Sequence, residues 1–144
     1  MKVLRRTVVL AMFAVLSLIT CKSFAQECVI GGVTDLTLEG TIGQYPVVME
    51  LQVWGSGPNI VGGGYYYKSQ GRNNMIMLSD DLNLQRGNGV KPRLEESVNG
   101  RVTGVFYATS WNMDVMKGTW MRTKDNKQFS FTLKVVKSYH HYIE

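Results

Sequence analysis

The sequence predicts an all-β domain, an antiparallel up-and-down meander of about eight or nine strands that coils into a curled sheet or a small β-barrel. Three observations predict it. Apolar and polar residues alternate at period two in successive short runs, and no segment carries a 3.6-residue apolar period. Gly, Asn and Asp separate these runs at short intervals, which suits tight hairpins between neighbouring strands. Glycines also fall inside the runs, at Gly40, Gly62, Gly63, Gly64, Gly104 and Gly118. There they cost stability unless the sheet bends or a ring lies over the gap.

The chain opens with an export signal. Lys2, Arg5 and Arg6 form a basic start, residues 7–20 are uncharged and mostly apolar, and Ser23-Phe24-Ala25 places small residues at −3 and −1 of a cleavage site. Cleavage after Ala25 leaves Gln26 first. The apolar run is shorter than the roughly 20 residues of a spanning helix, and Lys22 closes it, so no transmembrane segment is expected. A second export reading competes. Leu18-Ile19-Thr20-Cys21 is similar to a lipoprotein signal that would be acylated at Cys21, although Thr20 departs from the usual small residue. Either way the location is periplasmic or secreted. The expected organisation is a signal peptide at 1–25, a flexible N-terminal arm at 26–35, a β-barrel-like domain at 36–137 and a C-terminal tail at 138–144.

Removing the signal changes what charge implies. The precursor carries 16 Lys and Arg against 11 Asp and Glu, but Lys2, Arg5, Arg6 and Lys22 leave with the signal. The mature chain then has 12 basic and 11 acidic residues, a net charge of +1. Nothing there favours a nucleic-acid partner. About 119 of the 144 residues remain, enough for one core. Of the two cysteines only Cys28 survives cleavage, so an internal disulfide is excluded. An unpaired thiol or an intermolecular disulfide through Cys28 is left open.

Strand-like runs follow in order at 36–42, 46–54, 60–68, 75–78, 82–85, 93–98, 101–109, 115–122 and 128–137. The second is the clearest, with Val47, Met49, Leu51 and Val53 on one face and Val48, Glu50, Gln52 and Trp54 on the other. Phe129, Phe131, Leu133 and Val135 alternate almost as well in the last. Asn99-Gly100 is the strongest hairpin signal, because both central residues of that turn need positive φ. Gly43-Gln44, residues 55–58, Asn88-Gly89 and Asp125-Asn126 also read as turns. Three glycines precede an aromatic by two residues, Gly64/Tyr66, Gly104/Phe106 and Gly118/Trp120, so each pair shares a face. The expectation is a large ring lying over each gap, with Tyr66 in the core.

Gly40-Thr41-Ile42-Gly43 with Tyr45-Pro46, then Gly64-Tyr65-Tyr66-Tyr67-Lys68, Leu94-Glu95-Glu96, Thr103-Gly104 with Phe106, Gly118-Thr119-Trp120 and Phe129/Phe131/Leu133 occur in that order. In these motifs the chain resembles a widespread group of small uncharacterised bacterial exported β domains, over about residues 36–135. The motifs are turns, glycine bends and core rings, so the resemblance implies a fold and assigns no functional residue. A looser likeness is to lipocalin- and avidin-type barrels, in which the Gly-x-Trp lies in the first strand. Here Gly118-Thr119-Trp120 lies near the end.

No cluster reads as catalytic. His140 and His141 are adjacent in the expected tail, and with Tyr139, Tyr142 and Glu144 they match no closed zinc site. Glu95 and Glu96 point to opposite faces of one strand and cannot share a substrate. Asp80-Asp81-Leu82-Asn83 lacks the glycine and final glutamate of a calcium loop. Gly62-Gly63-Gly64 opens no helix and lacks the lysine of a phosphate loop. Arg122, Lys124 and Lys127 flank one hairpin and read as solubilising charges. No metal and no cofactor is expected.

Tyr65-Tyr66-Tyr67 remains. With Tyr66 inward, Tyr65 and Tyr67 are exposed or line a groove, and Trp54 extends that surface across the 55–58 turn. Tyr and Trp are enriched at binding interfaces. The expected function is therefore a non-enzymatic exported binding module that contacts a protein partner through Trp54, Tyr65 and Tyr67, of inhibitor, immunity or accessory type. The alternative is a carrier of a small apolar or aromatic ligand inside the barrel, and an enzyme of unknown class comes third. Bulky fill from Met49, Leu51, Phe129 and Phe131 is the feature that discriminates against an interior cavity. The export reading predicts that the intact mass of the exported protein begins at Gln26 or its pyroglutamate. A diacylated or triacylated Cys21 would overturn it in favour of the lipoprotein.

Overall fold

Period-two alternation has to be resolved into a register before it says which face is inside. The computed structural model does this for residues 32–54, 59–80 and 91–142, which are the residues described. The signal peptide, Cys21, Cys28, the turn at 55–58, the expected strand at 82–85 and the turn at Asn88-Gly89 lie outside them. Eight antiparallel strands close into a barrel: β1 (Gly32–Ile42), β2 (Tyr45–Trp54), β3 (Ile60–Tyr67), β4 (Ile76–Asp80), β5 (Arg93–Val98), β6 (Arg101–Trp111), β7 (Val115–Arg122) and β8 (Gln128–Tyr142). Each strand pairs with the next, and β8 returns to β1. The up-and-down meander expected from the short connections is what forms. Among the described residues no helix is long and apolar enough to cross a membrane.

Two boundaries differ from the sequence reading. Residues 32–35, expected in a flexible arm, belong to β1, and residues 138–142, expected in a tail, belong to β8. Gly32 through Thr37 pair with Tyr142 through Lys137. The cause is closure. The first and last strands of a meander each carry an open edge of backbone donors and acceptors, and pairing them satisfies both. That gain does not depend on side-chain hydrophobicity, so the polar run Ser138–Tyr142 joins the sheet.

The apolar residues of the inner face form one continuous cluster. Leu36, Leu38 and Ile42 from β1, Val47, Met49, Leu51 and Val53 from β2, and Ile60 and Tyr65 from β3 meet Leu94, Phe106, Ala108, Met116, Trp120, Phe131 and Leu133 from the far wall. Met49, Leu51, Phe106, Phe131 and Tyr65 are fully buried, so the middle of the barrel is filled by side chains. Phe106 meets Tyr65 edge-on at 5.1 Å and Phe131 at 5.2 Å, the favourable arrangement for ring quadrupoles.

Glycines and bulges give the sheet its curvature. A Cβ on Gly118 would collide with the carbonyl oxygen of Tyr107, so β6 and β7 approach closely only because the side chain is missing. A register shift between Ala108 and Ser110 lies beside it. Gly104 serves differently: a Cβ there would sit 2.6 Å from Trp120 Nε1 and 2.7 Å from Glu96 Cδ. A ring does cover the glycine gap at Gly104, as expected, and the ring is that of Trp120. At Asn99-Gly100 both residues have positive φ, 52° and 76°, as the hairpin signal requires.

These approaches predict the cost of filling the gaps. Gly104→Val and Gly118→Val should each destabilise the domain by about 2 kcal/mol or more in chemical denaturation, the cost of overpacking without room to relax. Unchanged midpoints in both variants would contradict the account of the curvature.

Candidate functional site

β5 starts the site. Leu94 and Glu96 share its inner face, so a carboxylate sits where an apolar residue would otherwise complete the core, and Glu96 is only 4% exposed. An unpaired buried carboxylate is very costly, so it has to be hydrogen-bonded. Three donors converge on it. Tyr65 Oη donates to Oε2, Trp120 Nε1 donates to Oε2 at 3.0 Å, and Thr103 Oγ1 donates to Oε1 at 2.7 Å. Thr103 reaches inward because a bulge between Glu96–Ser97 and its partners leaves it as the extra residue of β6. Burial, and next the charge of Glu96, push the Tyr65 hydroxyl far above the ordinary tyrosine value.

Above this network the barrel opens. The ends of β1, β3 and β7 and the starts of β2 and β8 surround a hollow of about 370 Å³. Ile42, Tyr45, Tyr67, Trp120 and Phe129 make its walls, while Ser69, Gln70, Arg122 and Lys127 contribute polar groups. The rings are mutually braced. Tyr67 packs edge-on against Tyr45 at 6.2 Å and against Tyr65 at 5.7 Å, and Trp120 lies 5.9 Å from Phe129. Burial raises the Tyr67 hydroxyl above its usual value, with a hydrogen bond shared with Tyr65 pulling the other way.

The two cations are held in place. Arg122 Nε and Nη2 donate to Asp125 at 3.0 and 2.7 Å, which leaves Nη1 outside that pair. The guanidinium holds the Asp125 carboxyl down at about 2. Lys127 Nζ stands 5.4 Å from the centre of the Phe129 ring, within cation–π range. Charges read as solubilising therefore edge the hollow.

The expected contact surface of Trp54, Tyr65 and Tyr67 does not assemble. Met49 faces inward and pairs with Tyr65, so Tyr65 faces inward too and is 0% exposed. Tyr66, expected in the core, is on the outer face. Gly64 and Tyr66 do share a face, but it is the outer one: the extra residue of β3 at Val61 puts Gly63 and Tyr65 on the inner face with Ile60. Tyr67 is half-buried at the open end. Trp54, 51% exposed, is on the outer face seven β2 residues from the partner of Tyr67, about 23 Å along the strand.

The histidines sit at the other end and are not loose. His141 Nε2 lies 2.5 Å from Asp35 Oδ2, and His140 Nδ1 lies 2.7 Å from Thr34 Oγ1. Among the described residues no group of three or more His, Cys, Asp or Glu is placed to hold a metal ion. Glu50, a lone acid in the sequence, forms a two-point pair with Arg72 at 3.0 Å.

Sequence reasoning missed Glu96, Thr103, Arg122 and Lys127. Glu96 had a signal, since it shares a face with Leu94. Thr103 had none, because a bulge decides its direction. Compared with known proteins, the chain matches no family model, no curated protein and no solved structure.

Proposed function

We propose that this protein is an exported, non-enzymatic binding module that captures a small ligand at the open end of its barrel. The observation that carries this is the hollow itself, walled by Tyr45, Tyr67, Trp120 and Phe129 and edged by Arg122 and Lys127. Concave, aromatic-lined sites with a few placed polar groups are what small-molecule recognition uses. The filled middle of the barrel directs the ligand to the mouth, in place of an enclosed carrier cavity. Against catalysis, Glu96 has its oxygens engaged by three donors behind Trp120, and both histidines lie at the opposite end.

A second reading keeps the protein partner and moves its contact. Trp54, Val33 and His141 are direct cross-strand neighbours on the outer face of β2, β1 and β8, and Tyr139, 59% exposed, packs 4.4 Å from His141. An exposed aromatic patch of this kind suits a protein interface.

One experiment separates the two. Small aromatic fragments of every charge type, titrated into the ¹⁵N-labelled protein, should shift Tyr67, the Trp120 indole N–H and Arg122. Tyr45→Ala should weaken the tightest fragment about tenfold, as loss of an aromatic wall does. Trp54→Ala should leave it unchanged. Shifts confined to Trp54, Val33 and Tyr139 would overturn the open-end reading in favour of the outer face.

A further inference from the structure

The polarity of the open end selects among ligands, and this step rests on the open-end reading above. Its edge carries Arg122 and Lys127, and no carboxylate is among the residues that line it. Asp125 neutralises part of Arg122 from the hairpin side, through Nε and Nη2. Lys127 Nζ stands over the Phe129 ring. The deep side is of the opposite sign, because Glu96 lies directly behind Trp120 and 3.0 Å from its indole nitrogen. That carboxylate is not free to take a cation, since Tyr65, Thr103 and Trp120 already occupy it.

A ligand entering this field is oriented. A positive group meets Arg122 and Lys127 first and finds no carboxylate among the lining residues to offset them. A negative group is attracted at the edge and repelled from the depth, so it stops at the edge. The part of the ligand that enters is then uncharged and flat enough to lie among Tyr67, Trp120 and Phe129. Rings prefer offset-stacked or edge-on neighbours, and the wall rings are set at different tilts, with Trp120 and Phe129 38° apart and Tyr45 and Tyr67 87° apart. We infer that the open end binds planar aromatic monoanions, ring inward and anionic group at Arg122 and Lys127.

Three probes of one shape test it: 2-naphthoate, 2-naphthalenemethanol and 2-naphthylmethylammonium, each titrated into the ¹⁵N-labelled protein. The carboxylate should shift the Trp120 indole N–H and bind about tenfold more tightly than the alcohol, with the amine weakest. Lys127→Gln and Arg122→Gln should each shrink the preference for carboxylate over alcohol severalfold. Equal binding of all three probes at the mouth would overturn the charge selection and leave the open end as the binding site. Shifts from none of them at the mouth would overturn both.

Discussion

A carboxylate inside a small barrel has to be held by its surroundings or it opposes the fold, and Glu96 is held by three side chains from three strands. Tyr65 comes from β3, Thr103 from β6 and Trp120 from β7. Each donor is fixed by the same bonds that satisfy the acid, so the network sets the orientation of two large rings in the barrel. Trp120 forms a wall of the open end, and Tyr65 braces Tyr67 beside it. The geometry of the mouth is thus set from below, by a buried carboxylate that is not itself among the residues lining the hollow.

Space for that cluster comes from Gly104. It pairs directly with Glu96, and its missing side chain lets the carboxyl group and the indole nitrogen meet. The adjacent bulge turns Thr103 into the barrel, so one irregular stretch of β6 supplies both the gap and a donor. Curvature and polar satisfaction have a common origin here. A regular β6 would lose the donor, and a side chain at position 104 would press on the acceptor.

Much of the architecture was legible in the residues. Val47, Met49, Leu51 and Val53 give the inner face of β2 directly, Asn99-Gly100 gives a hairpin, and interior glycines give a coiled sheet. What stayed hidden depends on register between strands. Tyr65 and Tyr66 exchange faces according to one extra residue near Gly62, and nothing local to the tyrosines reports it. The closing pair of β1 and β8 was also hidden, because it recruits polar residues through backbone pairing and polar side-chain contacts and not through an apolar period. Arg122 and Lys127 look like hairpin charges until the barrel closes and brings them to its edge.

The account turns on Glu96 and Tyr65 acting as a unit, and a double-mutant cycle measures that coupling. Tyr65→Phe removes one donor, Glu96→Gln removes the charged acceptor, and chemical denaturation of the wild type, both single variants and the double variant gives the interaction energy. The account predicts a coupling of about 1–2 kcal/mol, as befits a buried charge-assisted hydrogen bond within a network. Losses that add to within about 0.5 kcal/mol would contradict it, and with it the claim that the buried acid organises the open end.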